Sequence, residues 1–268
     1  MYQRILVPVD GSRFSEQLIG PAAEVARATG ARLALLRVVD HPDEQATAQR
    51  ELQALATPFQ ADALCVTTTN GSVATAIGDE ARRVPQTLVA MCSHGRSGTL
   101  QAVFGSVALQ VLGSLGEPLV VFRPRAGGPR AASRIEQIVL PLDGSAVSEA
   151  IIPQAAAFAK WLSAKVVVVS VLDPALKPEP GVPAGDVQES SYVRSIARDI
   201  GDRHGVAVSW EVLRGDPKEA IPTWVRGLEH AMLAMTTHGR SGLRSLMAGS
   251  VMAQCLRDAD VPIYTRLP

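Results

Sequence analysis

The sequence carries no charge imbalance: 26 Lys and Arg residues stand against 26 Asp and Glu residues in a chain of 268. It therefore lacks the broad basic footprint through which a protein releases counterions from a nucleic acid, and no nucleic-acid partner is expected. Long apolar runs are missing too. The densest, AKVVVVSVL at 164–172, falls well short of the roughly 20 residues that a membrane helix needs, so no membrane partner is expected. The opening residues, MYQRILVPVDGSRFSEQ, hold no apolar segment followed by a small-residue cleavage site. The expected compartment is the cytoplasm. Cysteine is scarce and odd in number: Cys65, Cys92 and Cys255, with no C-x-x-C spacing, read as small buried hydrophobes in a reducing environment. His41, His204 and His230 are scattered without metal-ligand spacing, which argues against a structural zinc site. No G-x-x-x-x-G-K-[S/T] run occurs, which excludes a P-loop enzyme.

What the chain does have is apolar content, 47% against 19% charged. That is enough to offset the entropy of ordering and to exclude global disorder. It also repeats itself. The run 5–12, ILVPVDGS, returns at 138–145 as IVLPLDGS, an offset of 143 − 10 = 133. The run 93–98, SHGRSG, returns at 237–242 as THGRSG, an offset of 238 − 94 = 144, and Gly105-Ser106 returns as Gly249-Ser250. The difference between the offsets fits an insertion around 174–186, a Pro- and Gly-rich stretch that reads as a loop. Residues 125–130, RAGGPR, have linker composition. Two tandem domains are expected, at 1–125 and 135–268.

Each half alternates strand and helix patterns. In the first, strands are predicted over 4–9, 31–39, 61–69, 86–91 and 118–123, with helices over 15–30, 43–56, 72–84 and 104–115. The second half runs the same way from 135 to 266. Five strands alternating with helices imply an α/β fold, a doubly wound parallel sheet in each half covered on both faces.

In such sheets a ligand sits beyond the carboxyl ends of the strands, where strand order reverses. Two loops per half fall there. The first is Pro8-Val9-Asp10, matched by Pro141-Leu142-Asp143. An acid just past a strand can accept hydrogen bonds from a ribose or base, or can serve as a helix N-cap. The second loop connects a strand to a helix over about a dozen residues, where βα loops usually take roughly 2–6. It holds Ser93, His94, Gly95, Arg96, Gly98, Gly105, Ser106 and Val107. Its twin holds Thr237, His238, Gly239, Arg240, Gly242, Gly249, Ser250 and Val251. Glycines let backbone N–H groups approach an anion, and the following helix N-terminus adds a favourable dipole. Ser106 supplies a further donor and Arg96 a charge.

A strand followed by P-x-D-G-S, then [S/T]-H-G-R-S-G-x6-G-S before the last helix, resembles the universal stress protein family, in tandem and over nearly the whole chain. The resemblance implies sheet order 3-2-1-4-5 in each half. It implies a nucleotide motif G-x2-G-x9-G-[S/T], matched by Gly95, Gly105 and Ser106 and by Gly239, Gly249 and Ser250. Cys92 and Thr236 stand where that motif has its first glycine, and a Cβ there narrows the room beside a ligand. The resemblance carries Asp10 and Asp143 to the adenine or ribose edge and Val38 and Val171 to the adenine pocket. ATP is the ligand implied, with ADP, AMP or cAMP as alternatives, and any Mg²⁺ is held through the phosphates. It also implies that the two halves pair through their last strands as a pseudo-dimer within one chain, with a homodimer as a further step.

A regulatory binding module in a stress response is the function expected. His94 and His238 flank the glycine loop, but the sequence puts no carboxylate beside them to orient a general base. No catalytic residue is therefore assigned. Slow ATP hydrolysis or nucleotidyl transfer on the same pocket, and a nucleotide-free scaffold, are the alternatives.

Overall fold

A computed structural model describes residues 1–68, 71–93, 104–124, 134–172, 186–238 and 249–268. The chain divides into two compact units, Met1–Arg134 and Ile135–Arg266. The first unit runs β1 (Arg4–Pro8), α1 (Arg13–Glu16), α2 (Ile19–Thr29), β2 (Arg32–Val39), α3 (Pro42–Ala56), β3 (Asp62–Thr67), α4 (Val73–Arg83), β4 (Thr87–Cys92), α5 (Ser106–Leu115) and β5 (Leu119–Phe122). The second runs β6 (Gln137–Pro141), α6 (Ala146–Glu149), α7 (Ile152–Leu162), β7 (Lys165–Leu172), α8 (Asp186–His204), β8 (Val208–Arg214), α9 (Pro217–Arg226), β9 (Ala231–Thr236), α10 (Ser250–Asp258) and β10 (Ile263–Arg266).

In the first unit the order is β3-β2-β1-β4-β5, and every pair is parallel. In the second it is β8-β7-β6-β9-β10, again all parallel. This is the expected strand order. Right-handed crossovers then put α2 and α3 on one face of the first sheet and α4 and α5 on the other. Burial follows strand position. Ile5, Leu6 and Val7 of β1 and Val166, Val167, Val168 and Val169 of β7 are buried, as a strand covered on both faces requires. Of the outer strands, β3 is largely half-exposed and β8 is half-exposed to exposed.

One expectation is corrected. The helix expected over 15–30 is two helices, α1 and α2, broken at Gln17 and Leu18. Pro21 lies in the first turn of α2, where a missing N–H costs nothing. Had the helix continued from α1, its ring would have met the carbonyl of residue 17. Pro153 does the same at the start of α7 in the second unit. The Pro- and Gly-rich stretch at 174–186 lies outside the described residues except for its last position, and the linker at 125–130 lies outside them entirely.

Candidate functional site

Because β1 pairs with β2 on one side and β4 on the other, strand order reverses between β1 and β4. The loops that follow those two strands are neighbours there. β6 stands in the same relation to β7 and β9.

Pro8 ends β1 opposite Leu36, and Val9 still holds the sheet through its N–H to the Leu36 carbonyl (2.8 Å). Gly11 then takes φ +78°, a turn that a Cβ disfavours, and Ser12 becomes the N-cap of α1. Its Oγ accepts the Ser15 N–H (3.2 Å). Asp10 Oδ1 accepts the Ser12 N–H (2.9 Å), the Ser12 hydroxyl (2.6 Å) and the Ser15 hydroxyl (2.6 Å). Capping and acid are thus divided between residues: Ser12 caps, and the cap fixes the carboxylate's orientation.

The second unit repeats the design. Pro141 pairs with Val169, and the Leu142 N–H donates to the Val169 carbonyl (2.8 Å). Gly144 has φ +77°. Ser145 caps α6, and Asp143 Oδ1 accepts its N–H (3.0 Å) and its hydroxyl (2.6 Å). Here the Ser148 hydroxyl donates to the Ser145 carbonyl (2.9 Å). A tyrosine joins from α8: Tyr192 donates to Glu149 Oε1 (2.8 Å). Burial and the Glu149 acceptor hold this hydroxyl well above the usual phenol range.

The glycine loops close at their necks. Ser93, buried, donates its N–H to the Phe122 carbonyl (2.7 Å) and accepts the Gly105 N–H (2.6 Å). Thr237, also buried, donates to the Arg266 carbonyl (3.1 Å) and accepts the Gly249 N–H (2.7 Å). Gly105 and Gly249 are the N-caps of α5 and α10 and supply no side-chain acceptor, so the first N–H groups of both helices lack a side-chain cap. At Gly249 an added Cβ would lie 3.0 Å from the Thr237 carbonyl oxygen and 3.4 Å from His238 Cα. Ser106 and Ser250 are exposed at the first position of each helix, with Val107 and Val251 half-buried behind them. Val38 and Val171 are half-buried near the carboxyl ends of β2 and β7, paired with Val66 and Leu213.

Both departures from the glycine motif have partners in the protein. Cys92 Sγ donates to the Phe14 carbonyl (3.2 Å), tying the end of β4 to α1. Burial, and secondarily the nearby Asp10 carboxylate, push this thiol up to about 12. Thr236 Oγ1 donates to the His238 carbonyl (2.6 Å), and the Thr237 hydroxyl shares a hydrogen bond with His238 Nδ1 (2.8 Å). His238 is thus held within its own loop. His94, Gly95, Arg96, Gly98, Gly239, Arg240 and Gly242 lie outside the described residues. Among the described residues, no group of three His, Cys, Asp or Glu side chains is arranged to hold a metal ion. No helix there is long and apolar enough to cross a membrane.

A family model for the universal stress protein family matches residues 1–123 and again 134–265. The chain belongs to the universal stress protein family. It is similar to a universal stress protein of Methanocaldococcus jannaschii, at 27% identity over 137 residues that span 48% of this chain and 79% of that protein. Its fold is similar to that of a universal stress protein from Archaeoglobus fulgidus, with TM-score 0.72, 16% identity, and coverage of 100% of this chain and 99% of that one. The cytoplasmic domain of a prokaryotic cation chloride cotransporter shares the fold at TM-score 0.56 and 10% identity, covering 99% of this chain and 95% of that one. As a tandem universal stress protein, the chain carries two versions of one pair of switch-point loops.

Sequence reasoning missed Ser15, Ser148 and Tyr192. The serines were legible, since D-G-S-x-x-S occurs at 10–15 and again at 143–148. Tyr192 had no signal, because its partner Glu149 lies 43 positions away.

Proposed function

We propose that each half of this universal stress protein binds an adenine nucleotide, ATP foremost, and that occupancy regulates an interaction in the stress response. The observation that carries the reading is the glycine-capped helix N-terminus, drawn against a strand end beside an oriented acid and built twice. Uncapped N–H groups and the helix dipole favour a phosphate there, and the exposed Ser106 and Ser250 hydroxyls are donors beside it. Asp10 and Asp143, oriented by their own loops, are acceptors suited to a ribose or base edge, with Val38 and Val171 as the apolar wall. The neck at 237–249 leaves little room for a larger residue at Gly249, which fits a backbone that must lie close to an anion. ADP, AMP and cAMP present the same phosphate chemistry and compete in this reading. Mg²⁺ bound through phosphate oxygens and water would supply charge neutralisation. The three free, buried cysteines suit the reducing cytoplasm as the compartment.

A nucleotide-free scaffold is the second reading, favoured by Cys92 and Thr236 at the glycine positions. Denaturing release of small molecules from freshly purified protein, counted by mass spectrometry, separates the two. One or two adenine nucleotides per chain is the expected result. An empty protein that shows no thermal shift with ATP and Mg²⁺ would establish the scaffold instead. Conversion of added ATP to ADP would mark an enzyme.

A further inference from the structure

The two acid loops are built alike but braced differently. In the first unit the brace is local: Ser15, five residues on, reaches both Asp10 Oδ1 (2.6 Å) and the Ser12 carbonyl (3.0 Å). In the second unit Ser148 donates to the Ser145 carbonyl (2.9 Å) and accepts the Asp143 N–H (3.3 Å), and a further brace comes from a remote element. α8, 19 residues long against 15 for α3, delivers the half-buried Tyr192 hydroxyl to Glu149 at the end of α6 (2.8 Å), six residues after Asp143. The corresponding acid in the first unit is Glu16, and α3 carries no tyrosine. By the burial pattern of the two helices, Ala48 and Leu52 against Val193 and Ala197, the position of Tyr192 falls on Thr47, which is exposed.

We propose that Tyr192 is a positioning residue of the second site alone, holding the Asp143 loop to α8 so that this acid meets the base and ribose end of a ligand in a fixed geometry. This rests on the nucleotide reading given above. It makes the two sites unequal by construction. The second acid is fixed to α8, where the matching place on α3 is the exposed Thr47, so a change along α8 is felt at Asp143 and not at Asp10. The hydroxyl is suited to the task because it donates to Glu149 at the end of the short helix that Ser145 caps. A phenylalanine keeps the ring and loses that bond.

The test is calorimetric titration of the full chain with ATP, adenosine and tripolyphosphate. It is run in an Asp10→Asn background to isolate the second site and in an Asp143→Asn background to isolate the first. Tyr192→Phe is expected to weaken ATP and adenosine at the second site by the same factor, about three- to tenfold for a lost hydrogen bond. Tripolyphosphate, which meets only the glycine-capped end, is expected to bind as before, and the first site to be unaffected. Glu149→Ala is a second, independent variant with the same expected pattern. A uniform loss across all three ligands would show a merely structural role and overturn the proposal. So would unchanged ATP and adenosine affinity in both variants, with the nucleotide reading left standing. Failure of the unmutated chain to bind any of the three would overturn both.

Discussion

At the amino end of the first sheet, the Arg4 guanidinium is buried against Glu80 of α4. It donates to Glu80 Oε1 (2.9 Å), to the Glu80 carbonyl (2.6 Å) and to the Thr87 hydroxyl (2.9 Å). The same three places in the second sheet hold Gln137, Trp224 and Ala231, by the matching registers Arg4–Thr87 and Gln137–Ala231 and the eighth position of α4 and α9. One fold is thus anchored by an ion pair in one half and by neutral residues in the other. The difference teaches that the pair is not required by the architecture. Buried ion pairs often add little over apolar packing, yet breaking one strands a charge.

The outer strands differ in the same spirit. On β3, Gln49 Nε2 donates to the Ala63 carbonyl and Gln49 Oε1 accepts the Cys65 N–H, each at 3.0 Å, while Gln45 donates to the Cys65 carbonyl (3.0 Å). Two glutamines from α3 therefore stand in for the missing neighbouring strand and blunt the edge. On β8 the place of Gln49 is taken by Arg194, by the same burial pattern, and its guanidinium lies 5.3 Å from the centroid of the Trp210 ring. A cation–π contact covers side chains but leaves backbone groups to other partners.

Breaking the ion pair should give the largest effect. Glu80→Ala leaves the Arg4 charge buried and is expected to cost about 3–5 kcal/mol in the first unit. Gln137→Ala, which loses one hydrogen bond to the Glu229 carbonyl, should cost about 1 kcal/mol in the second. Denaturant unfolding read separately for the two units checks this, and equal losses would end the contrast. Gly249→Ala comes next: a Cβ 3.0 Å from a backbone oxygen should cost roughly 1–3 kcal/mol and lower adenine-nucleotide affinity at the second site only. A titration in which the second site binds as it does in the unmutated chain would contradict that. Gln49→Ala should cost about 1–3 kcal/mol through unsatisfied strand groups and raise self-association in sedimentation. Arg194→Ala should cost only about 0.5–1 kcal/mol.

The buried thiols should show no contrast at all. Cys92 and Cys255 are each pushed up from 9.0 to about 12, chiefly by burial. The folded chain then holds these protons more tightly than the unfolded one. Their stabilising contribution is complete below pH 9 and declines as pH rises from 9 towards 12. Urea melts at pH 8 and pH 10 should show both units losing stability together. Native thiols unreactive to alkylation at pH 8 would agree with this.

Much of the fold was legible because alternation and repetition are local facts. Near-continuous apolar runs such as Val166–Val169 specify a strand buried on both faces, and the duplicated D-G-S and H-G-R-S-G runs mark the same two loops in each half. The split of α1 from α2 was not read, although Pro21 signalled it through a clash that only a continuous helix would suffer. At the site, the strand-end acids and the glycine caps were legible. Their division of labour was not, since Asp10 and Ser12 are both capping residues by type, and only the geometry shows Ser12 as the cap and Asp10 as its acceptor.

The sequence by itself determined the duplication, the parallel strand order through its family motifs, and the presence of an acid and a glycine loop in each half. These depend on residues near one another in the chain. Only the tertiary structure decided what meets what: that Arg4 faces the Glu80 carboxylate while Gln137 meets the Glu229 carbonyl, that Cys92 binds the Phe14 carbonyl, and that Tyr192 reaches Glu149. Each of those contacts joins residues dozens of positions apart. Hydrophobic periodicity states which face of an element is buried, but not which polar atom on another element lies opposite it.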